Sequence, residues 1–249
     1  MDMQALILAG GNGSRLGALT AQTPKPVLDV AGRPFLAYLL WNLKRHGITR
    51  IILSVGYIAD TIMKIVGDGS SYGVEITYVI ERERLGTGGC VRFAADHLDD
   101  EFLVFNGDTL FDFNYIDLHR NLKDDSLGVI ALRRVENVSR YGSILLENSK
   151  IRAFGEKRNA GAGIINGGVY LLKKQILDFI PEGASSIEID LFPKLSKTEQ
   201  LTGIVYSGFF LDIGLPETFT KAQTQLPAWK KTSARKSNSV ISYLSSFLK

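Results

Sequence analysis

The order of apolar and polar positions divides the chain into two halves with different patterns. In the first half, short apolar runs predict strands, over 3–9, 50–55, 74–80 and 102–106. Apolar residues recur at helical spacing between these runs, most clearly over 34–46, and Gly47 supplies a stop. Strands that alternate with helices predict parallel pairing with right-handed crossovers. Ligands of such sheets bind outside the carboxyl ends of the strands.

From about residue 126 onward, the pattern changes to strands joined by short turns. It predicts a hairpin and one further strand, over 142–147, 150–154 and 164–172. It also predicts two closing helices, over 186–196 and 216–225. We therefore predict one α/β domain with a Rossmann-like, mostly parallel but mixed central sheet flanked by helices. The second half would cover one end of the crevice and suit an acceptor pocket.

Composition limits the class of protein. With 249 residues, of which 45% are hydrophobic and 22% charged, the chain can bury a sizeable core. Cys90 is the only cysteine, which excludes an internal disulfide and fits a reducing compartment. No apolar run approaches the ~20 residues that cross a bilayer. We expect a cytoplasmic enzyme without a transmembrane segment.

The charge of the chain is unevenly distributed. Residues 226–249 hold five basic residues and no acidic one, so they carry +5, whereas residues 1–225 carry −2. We therefore divide the chain into a domain, 1–225, and a basic C-terminal tail, 226–249. The domain is not expected to bind nucleic acid. The tail fits either an extension that is loosely ordered or packs on its own protein, or a helix that binds a membrane surface or a partner.

A glycine-rich loop follows the first predicted strand directly. Glycine at three positions allows successive backbone N–H groups to approach an anion, and Arg15 adds a bidentate cation. The loop lacks the ending of a P-loop, and Leu16 stands where a dinucleotide fingerprint needs its last glycine. We interpret it as a nucleotide polyphosphate site, although such turns also occur for geometric reasons. Its candidate residues are Leu8, Gly10, Gly11, Asn12, Gly13, Ser14 and Arg15.

A second preset cation follows in the segment Pro24-Lys25-Pro26. The two prolines stiffen the backbone around Lys25. The run GGNGSRL followed by PKP resembles the start of the sugar-1-phosphate nucleotidyltransferases, which join an NTP to a sugar 1-phosphate and release pyrophosphate. Ser14 replaces the usual threonine and keeps its hydroxyl. Gly17 and Ala18 replace a common Arg-Pro pair, which removes any contact made by that arginine.

Two aspartates end apolar runs. Asp108 follows the strand over 102–106, and Asp212 follows the run 209–211. Each alone could be a turn former, but two carboxylates facing a triphosphate would hold Mg²⁺. In the family that the chain resembles, the aspartates of a G-D and a late D-[IV]-G motif bind the metal. The resemblance therefore implies that Asp108 and Asp212 are Mg²⁺ ligands.

Other segments match the family residue by residue. Leu85-Gly86-Thr87-Gly88 resembles the LGTA segment that faces the nucleobase, and a plain helix-start turn is the alternative. Phe154-Gly155-Glu156-Lys157 resembles F-x-E-K, whose glutamate binds sugar hydroxyls and whose lysine binds the sugar phosphate. Arg158 stands where the family has proline. The sugar-pocket residues implied by the resemblance are Gly107, Gly142, Glu156, Lys157, Asn166 and Tyr170.

The resemblance also implies a mechanism. The 1-phosphate oxygen of the sugar attacks the α-phosphorus of the NTP, and no general base is needed because that oxygen is already ionised. The protein positions the reactants and neutralises charge. Arg15 would stabilise the triphosphate, Lys25 the α-phosphate and Lys157 the acceptor phosphate. We take Arg15, Lys25 and Asp108 as the catalytic residues.

Three segments favour one substrate pair. ERERLGTGG, NGDTLF and FFLDIGLPETF look closest to the D-glycero-α-D-manno-heptose 1-phosphate guanylyltransferases that supply cell-surface polysaccharide synthesis. Mannose-1-phosphate guanylyltransferases, glucose-1-phosphate thymidylyltransferases and N-acetylmuramate-phosphate uridylyltransferases are the alternatives, and a homo-oligomer is compatible with each. A non-catalytic nucleotide-sugar-binding regulator is an alternative of another class, which the intact Arg15, Lys25, Asp108 and Asp212 disfavour.

The expected base is guanine. Its N1–H and exocyclic amine are adjacent donors, and a carboxylate could accept from both. Glu81 and Glu83 lie just before Gly86 and Thr87, where such a carboxylate is needed, although a solvated charged surface is the plainer interpretation. A site built to pair those donors would reject bases that lack them, so we expect GTP to be preferred.

Overall fold

Strands and helices alternate along the chain. A computed structural model describes residues 2–11, 13–21, 23–56, 58–155 and 161–246. Its strands are β1 (Gln4–Leu8), β2 (Asp29–Val30), β3 (Arg33–Pro34), β4 (Arg50–Val55), β5 (Glu75–Ile80), β6 (Glu101–Asn106), β7 (Thr109–Phe111), β8 (Gly128–Val135), β9 (Ile144–Glu147), β10 (Lys150–Phe154), β11 (Gly163–Lys173), β12 (Leu201–Tyr206) and β13 (Phe210–Asp212). Its helices are α1 (Phe35–Arg45), α2 (Ala59–Val66), α3 (Gly86–Phe93), α4 (Ile116–Arg120), α5 (Phe192–Lys197) and α6 (Pro216–Ser246).

One large sheet forms the centre of the molecule. Within the ranges just given, nine strands pair in the order β5-β4-β1-β6-β11-β8-β12-β10-β9. The first four are mutually parallel, as the alternation of strands and helices predicts. β11 then runs antiparallel to both β6 and β8, which makes the sheet mixed. The predicted fold class is confirmed.

The second half of the chain extends the same sheet. β9 and β10 form the predicted hairpin, and Asn148 and Ser149 at its turn have φ of 49° and 64°. Asparagine tolerates this left-handed conformation better than most residues do. The helix predicted over 186–196 begins instead as a wide π-helical turn, Ile187–Leu191, and continues as α5. Neither β8 nor β12 was predicted; the two pair parallel with each other.

Successive residues of each central strand face opposite layers of helices. Ile7 of β1 packs in the same core as the fully buried Leu39 of α1, whereas the neighbouring Leu6 packs in the core that contains Val91 of α3 and Phe192 of α5. Successive side chains of a strand point to opposite faces of the sheet, so neighbouring residues pack in different cores. Because both faces are covered, the strands read as continuous apolar runs.

The last helix is longer than its pattern predicts. α6 does not end at 225 but runs to Ser246. Leu226 and Trp229 are buried in a third core with Tyr38 of α1 and Ile213, so the first part of the basic segment packs on its own protein. In the described part of the chain, no helix has both the length and the apolar character that crossing a bilayer requires.

Candidate active site

The carboxyl ends of β1, β5 and β6 surround a cavity of about 340 Å³, which we call the first cavity. Parallel pairing brings these ends to one edge of the sheet. The predicted nucleotide-binding residues that line the first cavity are Leu8, Gly10, Gly11, Lys25, Glu81, Gly86 and Thr87. Gly13, Ser14 and Arg15 are not among its lining residues, and Asn12 lies outside the described residues. Gly107, predicted for the sugar, lines this cavity.

The glycine loop is shaped by contacts within the protein. Gly13 has φ of 63°, and its carbonyl accepts from the Leu16 N–H at 2.8 Å and from the Thr20 hydroxyl at 3.0 Å. A Cβ added at Gly13 would lie 2.7 Å from Thr20 Cγ2. A Cβ added at Gly10 would lie 2.9 Å from Glu81 Oε1. Gly13 is therefore required even before a phosphate is considered, and Gly10 leaves the space that the Glu81 carboxylate occupies.

Glu81 is a prepared carboxylate at the base of the first cavity. Only 5% of the residue is exposed, and its Oε1 accepts from the Ser54 hydroxyl at 2.6 Å and from the Cys90 thiol at 2.9 Å. Burial, and then the neighbouring carboxylate, raise the pKa of the Cys90 thiol, so this thiol remains a donor. Glu83 is exposed and does not line the cavity. Of the two predicted glutamates, the structure therefore brings only Glu81 to the site.

The turn at residues 85–88 is held by a distant segment. The Gly88 N–H donates to the Ser185 carbonyl, and the Ser185 N–H donates to the Leu85 carbonyl, both at 2.8 Å. Gly86 has φ of 67°, and an added Cβ there would collide with the Ser185 carbonyl oxygen. Gly86 is also where α3 begins. The turn is thus both a helix start and a wall of the first cavity.

A two-stranded ribbon joins the predicted metal ligands. β13 pairs antiparallel with β7, with Asp212 opposite Thr109, and the Ile213 N–H donates to the Asp108 carbonyl at 2.9 Å. Asp108 and Asp212 therefore occupy adjacent positions although they are far apart in the sequence. Lys25 Nζ lies 2.9 Å from Asp108 Oδ2, and its side chain is 10% exposed.

Arg140 and Tyr141 hold the second carboxylate. The Arg140 guanidinium and the Tyr141 hydroxyl both donate to Asp212, and the Gly214 N–H donates to the same carboxylate at 3.0 Å. Burial, and then the hydrogen bond to Asp212, raise the pKa of the Tyr141 hydroxyl. A Cβ added at Gly214 would lie 3.5 Å from Arg15 Nη2 and 3.6 Å from Arg140 Nη2. Two guanidiniums therefore converge beside Asp212.

A second cavity of about 680 Å³ continues from the first, and Asn106 and Asp108 line both. Arg15, Asp212 and the predicted sugar-pocket residues Gly142 and Asn166 line the second cavity. Tyr170 lies buried behind it, where its hydroxyl accepts from Asn166 Nδ2 at 2.9 Å. Glu156 and Lys157 lie outside the described residues. Their neighbour Gly155 lines the second cavity.

The polar residues of this site that sequence reasoning missed include Asn106, Arg140 and Glu188. Glu188 accepts from the Thr87 hydroxyl at 2.7 Å and the Tyr170 hydroxyl at 3.2 Å, so it links the walls of the two cavities. Asn106 Oδ1 is buried and has no hydrogen-bond partner among the described residues. Its place directly before the Gly107-Asp108 motif is a signal that could have identified it. No motif marks Arg140 or Glu188.

The donor set at the junction of the cavities suits Mg²⁺. Asp108 and Asp212 are the two carboxylates there, each paired with a cation, Lys25 or Arg140. In the part of the chain that the structure describes, no group of three or more acidic, histidine or cysteine side chains could hold a metal by itself. Mg²⁺ commonly binds one or two carboxylates and takes its other ligands from phosphates and water. The residues present therefore fit a metal that arrives with the substrate phosphates.

Comparisons with known proteins identify relatives over most of the chain. A family model described as nucleotidyl transferase matches residues 4–228. A D-glycero-alpha-D-manno-heptose 1-phosphate guanylyltransferase from Aneurinibacillus thermoaerophilus is 37% identical over 234 residues, 90% of this chain and 98% of that protein. A relative of the same name from Campylobacter jejuni is 36% identical over 219 residues, 87% and 97% of the two chains. The crystal structure of HddC from Yersinia pseudotuberculosis complexed with GMP-PN matches with a TM-score of 0.80 and 36% sequence identity. The match covers 90% of this chain and 99% of that chain.

Proposed function

The chain belongs to the nucleotidyl transferase family, and from this premise we propose that it transfers GMP from GTP to D-glycero-α-D-manno-heptose 1-phosphate, releasing pyrophosphate. The observation that carries the proposal is the pair of cavities that meet at Asp108, because two phosphorylated substrates can face each other there. The names of the two similar relatives and the GMP-PN complex of the Yersinia protein support the choice of substrates.

The first cavity would hold GTP. Glu81 is buried and presents a carboxylate to this cavity, which suits the adjacent N1–H and amine donors of guanine. Gly10 and Gly11, at the end of β1, line the same cavity and would face the phosphates with their backbone. Lys25 Nζ beside Asp108 would lie near the α-phosphate.

The second cavity would hold the sugar phosphate. Asn166, Glu188 and Ser143 supply amide, carboxylate and hydroxyl groups for the sugar hydroxyls. Arg15 and Arg140 converge beside Asp212, where the acceptor phosphate would enter. We propose that Arg15, which directly follows the glycine loop in the sequence, also serves the triphosphate. We propose that Lys157, directly after Glu156 in the F-x-E-K match, binds the acceptor phosphate as well.

The reaction is one in-line displacement. An oxygen of the sugar 1-phosphate bonds to the α-phosphorus of GTP, the bond from that phosphorus to the β-bridging oxygen breaks, and pyrophosphate leaves. No proton is removed, so the protein acts by position and charge. Lys25 and the two arginines neutralise the phosphate oxygens as negative charge shifts toward pyrophosphate. Mg²⁺ held by Asp108 and Asp212 would supply further positive charge to the same oxygens.

Pyrophosphate release from a substrate matrix tests the proposal. GTP, ATP, UTP and dTTP would each be combined with D-glycero-α-D-manno-heptose 1-phosphate, mannose 1-phosphate and glucose 1-phosphate. We expect the GTP and heptose pair to have the highest kcat/KM. Preference for mannose 1-phosphate would replace the sugar assignment and leave the reaction type intact. Absence of pyrophosphate from every pair, with GTP binding retained, would favour the non-catalytic regulator.

A further inference from the structure

A third cavity of about 490 Å³ lies apart from the first two and shares no lining residue with them. It lies between β3, α1, the turn at 70–73 and α6, and its volume is typical of small-ligand sites. Four of its lining residues are cationic, Arg33, Lys44, Arg45 and Lys230. Among the described residues, no acidic side chain lines it.

A glycine leaves space for one of these cations at the cavity wall. Gly73 has φ of 69°, and a Cβ added there would coincide with the Lys44 ammonium. The absence of a side chain at 73 therefore provides the space that Lys44 occupies. Arg33 and Lys44 are both exposed, and neither forms an ion pair within the described chain.

The other two cations are fixed on aromatic rings. Lys230 Nζ lies 5.3 Å and the Arg45 guanidinium carbon 5.4 Å from the centre of the Trp41 ring, within the range of cation–π contacts. Burial, and then the charge of Arg33, lower the pKa of Lys230. Arg45 alone has a carboxylate partner, Asp112, which lies outside the cavity lining.

We propose that the third cavity binds an oligophosphate group, either the phosphate chain of a nucleotide or a free oligophosphate. Three cations that lack a carboxylate partner, arranged around one cavity, repel each other, and a multiply charged anion relieves that repulsion. Their positions on three separate elements suit a chain of phosphates better than a single one. The third cavity shares no lining residue with the two cavities assigned to the substrates, so this proposal goes beyond the transfer of GMP.

Tryptophan fluorescence gives a selective readout. The chain has two tryptophans; Trp41 lines the third cavity, and the Trp229 ring centre lies 5.4 Å from that of Trp41. Neither lines the first or second cavity. We expect tripolyphosphate and GTP to change the emission saturably, whereas guanosine has no effect. GTP binding at least about tenfold more tightly than tripolyphosphate would identify a nucleotide as the ligand, and equal affinities would assign recognition to the phosphate chain alone.

The variant R33E/K44E should weaken the binding of both tripolyphosphate and GTP by at least about tenfold. The control K64E/R120E makes the same charge change at two exposed positions outside all three cavities, and should change affinity less than about twofold. R33A/K44A serves if charge reversal disturbs folding, judged by circular dichroism. The proposal is overturned if the full-length protein shows no saturable change, if guanosine binds as tightly as GTP, or if the two charge-reversal variants weaken binding equally.

Discussion

At the residue scale, Glu81 shows how a buried carboxylate can be kept ready for a ligand. Ser54 and Cys90 both donate to Oε1, and Gly10 leaves room for that oxygen. Two donors on one oxygen fix the plane of the carboxylate relative to the first cavity. A buried charge with fixed orientation discriminates strongly between ligands, because a base without matching donors leaves it unpaired.

Glu81→Gln should therefore reduce kcat/KM for GTP by about 10- to 100-fold, because an amide N–H would face the guanine donors. The ratio of GTP to dTTP use should fall by a similar factor. Glu83→Gln is the matched control, since Glu83 is exposed and does not line the cavity. Steady-state kinetics with each nucleotide varied would check both variants. Equal losses of kcat/KM in the two variants would show that Glu81 does not recognise the base.

The paired carboxylates at the junction of the cavities make a second prediction at this scale. Asp108→Asn and Asp212→Asn keep the shape of the side chains but remove one negative charge each, so turnover should fall by at least about 100-fold and the Mg²⁺ concentration for half-maximal rate should rise. Asp125→Asn changes an exposed acid elsewhere and should have no effect. Turnover measured over a Mg²⁺ series provides the test. A folded Asp108→Asn protein with near-normal turnover would exclude this metal assignment.

At the element scale, Asp112 joins three parts of the chain. It follows β7 directly in the sequence. Its carboxylate accepts hydrogen bonds from Arg45 at the end of α1, from His46 at 3.2 Å and from Trp229 Nε1 of α6 at 2.9 Å. Burial of Asp112 opposes its ionisation, but the hydrogen bonds from His46 and Trp229 and the charge of Arg45 outweigh burial. The pKa of the carboxyl is therefore lower than usual. The ribbon that carries Asp108 is anchored through this residue.

Asp112→Asn should lower the free energy of unfolding by about 2 kcal/mol at pH 7, because charged hydrogen bonds are replaced by neutral ones. An aspartate whose pKa is lowered in the folded state stabilises that state at pH values above its unfolded-state pKa of about 3.9. That stabilisation is lost as the pH falls through the lower folded value. The penalty should thus be smaller at about pH 3 than at about pH 5. Urea unfolding at each pH is the measurement, with the exposed Asp60→Asn as control; a penalty that grows toward low pH would contradict this assignment.

At the scale of the whole molecule, α6 closes the third core. Leu226 is fully buried and Trp229 is 7% exposed, and both lie beyond the domain boundary predicted at 225. Gln223 also bonds to the β2–β3 hairpin, where its amide donates to the Asp29 carbonyl at 3.0 Å and accepts from the Ala31 N–H at 2.9 Å. This first part of the basic segment therefore contributes to the packing of the domain.

Truncation after residue 225 should destabilise the protein by more than about 4 kcal/mol, because it removes two large buried side chains. The melting temperature should fall by at least about 8 °C. A chain ending at 235 keeps both side chains and should melt close to the full-length protein. Thermal unfolding of the two truncated proteins tests this expectation. If the shorter one is as stable as the longer, 225 is the correct boundary and the burial of Trp229 contributes little.

Local patterns in the sequence were sufficient for much of the fold. The four parallel strands, α1 and the β9–β10 hairpin each carry their own signal, because an apolar run, a helical period or an Asn-Ser turn depends only on nearby residues. The extension of α6 past 225 and the π-helical start at Ile187 were not predicted, since tertiary packing rather than local propensity decides where these elements begin and end. The glycine loop, Lys25 and both aspartates could be proposed as site residues from the sequence because motifs mark them.

What the sequence alone determined is therefore the four parallel strands, α1 and the β9–β10 hairpin, the family, and the candidate residues within motifs. Only the tertiary structure decided which of these residues meet. Pairing of β7 with β13 puts Asp108 next to Asp212, and the closure of residues 183–188 onto the turn at 85–88 brings Glu188 to Thr87. The same closure explains why glycine is needed at 86. These contacts join positions about 100 residues apart, and no local pattern specifies them, because their energy comes from packing between elements that have already formed.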